Sequence, residues 1–217
     1  GRCSGDINTG MGNCLLVVSF IYSYFNQIGT KHALINNGDD FVVIVEQEDE
    51  DKVNGLVEWF HNLGHTLVLE PPVYVLEEIE FCQTHPVWDG EKWLVVRDPR
   101  VALAKDLSSC LDLSSDKAVR KYYAAISKCG LAVAGGIPIW DAFYRKLLNR
   151  SEGAKAHQGY EIKNSGLLRL SKNMSRQHRE ITPEARASFF SAFGVTPDEQ
   201  REHERGSLAD HIQPLGC

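Results

Sequence analysis

Residues 34–46 read LINNGDDFVVIVE: two runs rich in branched apolar residues flank a polar tip that carries the adjacent carboxylates Asp39 and Asp40. Such runs read as strands, and Asn37-Gly38 between them suits a tight hairpin turn because both residues tolerate positive φ. Upstream, residues 14–28 are strongly apolar, long enough to favour a buried helix over a strand, and followed by Gly29 as a stop. The segment before them, SGDINTGMGN, reads as a loop whose glycines let the backbone approach a ligand closely.

Downstream, Asp49 is placed to cap a helix running to about Leu63, with Val53, Leu56, Val57 and Phe60 on one face and Gly64 as its stop. HTLVLE (65–70) reads as a short strand entering Pro71-Pro72, and residues 77–97 as a second hairpin turning near Asp89-Gly90. That order suits an antiparallel sheet backed by helices on one face, an α+β arrangement. Beyond Asp98 the pattern is helical. Ser115 starts a helix with Gly130 after it, Pro138 stands near the start of another, and residues 151–180 form a long, partly irregular stretch. Thr182-Pro183 opens a helix that Gly194 stops, and Thr196, Pro197 and Glu199 carry a capping-box signature for the last one.

The 217 residues suffice for one large domain or two small ones. The most apolar run, residues 14–25, is well short of the roughly twenty residues a membrane span needs. Six cysteines at 3, 14, 82, 110, 129 and 217 include no pair with the CxxC spacing of a zinc site or a redox motif, which suggests reduced thiols in a cytosolic setting. The chain starts without methionine and without a signal-peptide pattern, so it reads as a fragment or a processed product. The net charge of −6 is unevenly spread: residues 1–96 hold 4 Lys/Arg against 15 Asp/Glu, and residues 97–181 hold 16 against 8. An acidic half suggests metal ions or cationic groups, and a basic segment suggests a polyanion.

Taken alone, NGDD is the usual composition of a solvated turn. A second motif changes its meaning. Ser4, Gly5, Thr9 and Asn13 stand in the pattern SGxxxTxxxN, some 25 residues before the carboxylates. Together with EFCQTHPV and EARASFFSAFGVTPDEQ, these segments resemble the RNA-dependent RNA polymerases of positive-strand RNA viruses, most nearly the tombusvirus group. In that family SGxxxTxxxN is palm motif B, GDD is motif C, and the hairpin with FCQ is motif E at the palm–thumb border.

The resemblance implies a C-terminal part of a right-hand polymerase, with residues 1–98 as palm and 99–217 as a mostly helical thumb. It implies templated transfer of ribonucleoside monophosphates from NTPs to an RNA 3′ end, with two Mg²⁺ or Mn²⁺ ions. Asp39 becomes the principal metal ligand and Asp40 a secondary or water-mediated one, with Gly38 supporting the turn. Asn13 is expected near the ribose 2′ hydroxyl, Thr9 beside it, and Ser4 and Gly5 near the template and nascent pair. Asp6 matches the SGDxNT form without an assigned role. Gln83, Arg97, Arg100, Lys105, Arg120, Lys121 and Lys128 are the candidate RNA contacts, sequence-independent and salt-sensitive.

Two family features have no counterpart in the sequence. The motif A aspartates and the basic residues of motif F are expected upstream of Gly1, which makes the isolated chain inactive. No lysine lies between Lys52 and Lys92 to match the proposed motif D acid, so that proton comes from His65, another segment or water. The implied partners are template and nascent RNA, NTPs, and viral or host replication proteins. The implied location is the host cytoplasm at membrane-associated replication complexes, attached through other regions.

Other readings fare worse. His61 and His65 lack the glutamate of a zinc-binding HExxH and enclose a glycine. GMGNCL has Leu15 where a dinucleotide fingerprint needs its third glycine, and the acidic run at 46–51 suits a helix start. The rival from another class is a non-catalytic RNA-binding or oligomerisation module. A different palm-type nucleotidyl transferase would use the same metals but need not have the thumb-like tail.

Overall fold

Val17, Ile21 and Phe25 recur every fourth residue, so a helix turns all three toward one side. In the computed structural model, which describes residues 8–156 and 166–206, they lie on α1 (Thr9–Ile28). Ile21 and Phe25 are fully buried with Leu56 and Phe60, and Val17, Phe20, Leu34, Phe41 and Val43 pack around them. Gly29, at φ 67°, ends α1 in the left-handed conformation that glycine adopts without steric cost. The chain reverses into β1 (Ala33–Asn37) and β2 (Asp40–Ile44), antiparallel with Leu34 opposite Val43 and Asn36 opposite Phe41. A 3-10 turn at Gln47–Asp49 then leads to α2 (Glu50–Val53) and α3 (Gly55–Asn62). These elements belong to the first of two units, residues up to 74 together with 79–82.

Three local expectations differ from the structure. The helix begins at Thr9, not near residue 14, because Gly10 and Gly12 adopt helical geometry and the Gly12 N–H already donates to the Asn8 carbonyl at 2.8 Å. Asp49 makes no helix cap; its carboxylate holds Lys52 Nζ at 2.6 Å, and the predicted single helix is broken at Asn54. Residues 65–70 form no strand. They run toward Pro71-Pro72, whose missing N–H groups cannot extend a ladder, and Val68 is left 83% exposed.

The second unit comprises residues 75–78 and those from 83 onward. It holds the antiparallel pair β3 (Thr84–Trp88) and β4 (Trp93–Arg97), with Gly90 at φ 99° in the expected turn. Six helices follow among the described residues: α4 (Pro99–Leu107), α5 (Asp116–Ala134), α6 (Trp140–Arg150), α7 (Gly166–Ser171), α8 (Pro183–Phe193) and α9 (Pro197–Arg205). The predicted caps are present. The Ser115 hydroxyl accepts from the Ala118 N–H, the Thr182 hydroxyl from that of Ala185, and Thr196 with Glu199 closes a capping box. Helices and small antiparallel sheets make the chain α+β.

Gly130 does not stop α5. The helix continues four residues past it, and the missing side chain admits the buried Tyr144 ring of α6, which a Cβ at Gly130 would meet at 2.1 Å. Around that ring, Arg97 donates to both carboxylate oxygens of Asp106 at 2.8 and 2.7 Å, and the Tyr144 hydroxyl donates to the same carboxylate at 2.5 Å. Burial pushes the Tyr144 phenol well above its ordinary value, and that of Tyr122 up to about 12, so both remain donors. Arg97 also lies 5.1 Å over the Trp140 ring, whose Nε1–H donates to the Arg97 carbonyl.

At the hairpin turn, buried Asp89 accepts from the Glu91 and Lys92 amides and is paired with Arg176 at 2.7 Å and Arg179 at 2.9 Å. Burial pulls this carboxyl upward, but the amides of Lys92 and Glu91 and the Arg176 guanidinium outweigh it and hold it below its ordinary value.

Gly130→Ala is therefore expected to destabilise the chain by about 1–3 kcal/mol despite the better helix propensity of alanine, measured by urea unfolding. Because the Asp89 carboxyl is depressed in the folded state, its stabilisation is complete above the unfolded value of about 3.9 and is lost as pH falls through the folded value. The urea midpoint should drop on acidification below about pH 4. Asp89→Asn, already less stable at neutral pH, should lose less on the same acidification.

Candidate active site

The hairpin tip is closed by two residues, Gly38 and Asp39, between the paired Asn37 and Asp40. Gly38 is buried with φ 89°, and no positive φ occurs at Asn37 or Asp39, so the turn is Gly38-Asp39 and not the expected Asn37-Gly38, because Asn37 stays in β1 paired with Asp40. A positive φ at the first central position alone is what a type II′ hairpin turn requires, and glycine supplies it. Asp39 and Asp40 are both exposed.

Two parts of the sequence meet at this turn. A Cβ built on Gly38 would lie 3.5 Å from the Asn13 Cβ, so the last residue of SGxxxTxxxN lies close beside the first residue of GDD. Thr9 and Asn13, four residues apart on α1, share one helix face. Asn36 holds α1 and the turn together: its Nδ2 donates to the Cys14 carbonyl of α1 at 2.9 Å, while its Oδ1 accepts the Gly38 N–H at 2.9 Å. On the other side, Asn37 Nδ2 donates to Cys82 Sγ at 3.1 Å. Sequence reasoning missed Asn36, Asn37 and Cys82 as site-building residues. The signal available was the pair of amides directly before the glycine, which reads equally as turn composition.

The adjacent carboxylates offer acceptor-only oxygen atoms on a fixed turn, the donor type that hard divalent cations prefer. Among the described residues no group of three or more His, Cys, Asp or Glu gathers as a metal site. The pair thus fits as part of a coordination shell that needs further ligands. Ser4, Gly5 and Asp6 lie outside the described residues.

The candidate RNA contacts are placed differently from one another. Arg97 is committed to Asp106, Tyr144 and Trp140. Arg100 is exposed and folds back on Asp98 at 2.8 Å, and Arg120 pairs with Glu152 at 2.6 Å. Lys105 and Lys128 are exposed and Lys121 is half-buried. Gln83 is exposed and left-handed, at φ 60°, next to Cys82 at φ 53°. No helix of the described residues is long and apolar enough to cross a membrane.

Comparison with known proteins gives a consistent result. Residues 1–212 match the family model described as viral RNA dependent RNA polymerase. The chain is 43% identical over 220 residues to the RNA-directed RNA polymerase of Turnip crinkle virus, covering 99% of the chain and 28% of that protein. It is 41% identical to the corresponding protein of Groundnut rosette virus, covering 100% and 25%, and 43% identical to that of Cucumber necrosis virus, covering 92% and 24%. No solved structure matches. The chain spans about a quarter of the length of the relatives it matches.

If the tip depends on the backbone freedom of Gly38, Gly38→Ala should cost about 1–3 kcal/mol, since an alanine is strained at this φ. Amide hydrogen exchange across β1 and β2 should accelerate accordingly. Unchanged protection would remove the turn's special requirement for glycine.

Proposed function

The chain belongs to the viral RNA-dependent RNA polymerase family, and from that membership we propose that it supplies the C-terminal palm and the thumb of a template-directed RNA polymerase. The longer polypeptide would add ribonucleoside monophosphates from NTPs to an RNA 3′ end during viral genome replication. The observation that supports this reading is the nearness of Asn13 to Gly38, held by the Asn36 side chain, which brings the ends of two separate motifs together beside an exposed pair of carboxylates.

In this reading Asp39 is the principal metal ligand contributed by the chain and Asp40 a secondary one. Mg²⁺ or Mn²⁺ held there, with ligands from another part of the polypeptide, would activate the 3′ hydroxyl and neutralise the triphosphate. Asn13 hydrogen-bonds the ribose of the incoming nucleotide, where a 2′ hydroxyl distinguishes RNA from DNA precursors. Thr9, on the same face of α1, steadies that contact, and Ser4 and Gly5 meet the template and nascent pair. The proton donor to pyrophosphate stays unassigned.

Residues 1–98 are assigned to the palm and 99–217 to the thumb, with β3–β4 as the border hairpin. Exposed cations of the second unit contact RNA phosphates without reading sequence. Replication in the host cytoplasm at membrane-bound complexes belongs to the same proposal, with attachment through other regions or partner proteins.

Within a polypeptide carrying this chain and the remaining polymerase sequence, Asp39→Ala should reduce templated primer extension at least about 100-fold while RNA binding persists. Undiminished synthesis by that variant would refute the metal role. The isolated chain should show no extension with or without added Mg²⁺.

A further inference from the structure

Residues 71–74 of the first unit read PPVY, a stretch that neither the core nor the carboxylate turn uses. Proline fixes φ near about −65°, and Glu70 and Pro71, each standing before a proline, are held out of the helical region. The stretch is therefore stiff and extended before any partner arrives. It joins no helix and no ladder, and all four residues are exposed, Tyr74 to 69%. A run of exposed apolar side chains on a backbone already ordered is a surface suited to a partner, because little conformational freedom is lost when it is bound.

The spacing of the four residues selects the kind of partner. A polyproline II helix has about three residues per turn, so Pro71 and Tyr74 share one edge and Val73 falls on another. A proline pair with a tyrosine on the same edge suits a groove of two subsites: a slot between aromatic rings for the prolines, and an adjoining pocket for an aromatic ring with a polar tip. The PxxP pattern is absent, since Val68, Leu69, Tyr74 and Val75 stand where its other proline would be. The Tyr74 hydroxyl donates to Glu50 Oε2 at 2.7 Å, which holds the phenol by its tip and leaves the ring exposed. Such a surface bond exchanges for one to a partner at little net cost. No lysine or arginine lies between Lys52 and Lys92, while Glu70 precedes the prolines and Glu50 stands at the tyrosine, so the complementary groove has a basic rim.

We propose that residues 71–74 are a docking motif for a small proline-recognition domain of the WW class, with the proline pair seated in its aromatic slot and Tyr74 in the adjoining pocket. The inference goes beyond the polymerase reading and uses none of the residues assigned there.

The test titrates a fluorescently labelled WW domain selective for Pro-Pro-x-Tyr with the 217-residue chain and reads anisotropy. Binding with a Kd in the micromolar range is expected, as a contact of this size forms a small, transient interface. Tyr74→Ala and Pro72→Ala should each weaken it at least about tenfold, because truncating an anchor empties its subsite. Val73→Ala, on the other edge of the motif, and Val68→Ala, an exposed apolar residue outside it, should each change affinity less than about twofold. Melting temperatures should agree among the variants, since all four side chains are exposed. Should Tyr74→Ala melt early through loss of its bond to Glu50, Pro72→Ala keeps that bond and reads the motif alone. An SH3 domain selective for PxxP should not bind at the same concentrations. The proposal is overturned if the WW domain does not bind, if Val68→Ala loses as much affinity as Pro72→Ala, or if the SH3 domain binds equally well. It is also overturned if sedimentation shows the chain self-associating through this segment and Tyr74→Ala returning it to the monomer, which makes a second copy the occupant. Synthesis is not read, so the result stands apart from the metal role of Asp39.

Discussion

The side-chain amide of Asn36 determines where the two carboxylates of the tip can be. Alternation along β1 and β2 directs Asn36 to the same face as Leu34, Phe41 and Val43, toward the apolar packing around Ile21 and Phe25. Leaving an amide unpaired in such surroundings costs about 1–3 kcal/mol, so its position is acceptable only with partners. It has two: the Cys14 carbonyl on the helix and the Gly38 N–H in the turn. The polar group that would otherwise weaken the core thereby fastens the turn to α1. The stretch of α1 next to Asn13 and the turn that carries Asp39 are thus tied by one side chain.

A comparable division of labour runs through the basic segment of the second unit. Its charge count suggests a single polyanion-binding surface, yet several of its cations are committed internally. Arg97, Arg176, Arg179 and Arg186 sit partly buried in ion pairs with Asp106, Asp89, Glu91 and Glu204. Lys117, Lys121 and Lys128, along one side of α5, form no ion pair with any described residue. The difference follows from side-chain chemistry. A guanidinium matches two carboxylate oxygens with a planar fork and tolerates partial burial, whereas an ammonium is strongly hydrated and stays near water. Arg97 is therefore a brace among β4, α4 and α6.

Much of this architecture was legible where a local rule operated alone. The hairpin at NGDD, the stop at Gly29, the turn at Gly90 and the caps at Ser115, Thr182 and Thr196 all depend on nearest neighbours in sequence, and all are present. Expectations failed where a distant partner decided. Gly130 reads as a helix stop until the Tyr144 ring is seen to occupy the space a side chain would fill. Residues 65–70 have strand composition, but composition supplies no ladder partner, and the following prolines withdraw two donors. At the start of α1, glycine content suggested a loop because helix propensity is a weak local preference. The packing of Ile21 and Phe25 and the tie to Asn36 stabilise the helix as a whole and carry it back to Thr9.

The consecutive asparagines before Gly38 are the instructive case, because one stretch of sequence supports both readings. As turn residues they need only tolerate the geometry and face water. In the structure they point to opposite faces of β1, as successive strand residues must. Asn36 binds toward α1, and Asn37 reaches the Cys82 sulfur of the FCQ segment. Cys82 and Gln83 both hold left-handed φ values that cost a non-glycine residue about 1–3 kcal/mol each. A backbone persists in that state only where its surroundings over-determine it, and the Asn37 amide is one such constraint. The turn that carries Asp39 is thus tied on one side to the helix of the first motif and on the other to the strained segment of the third.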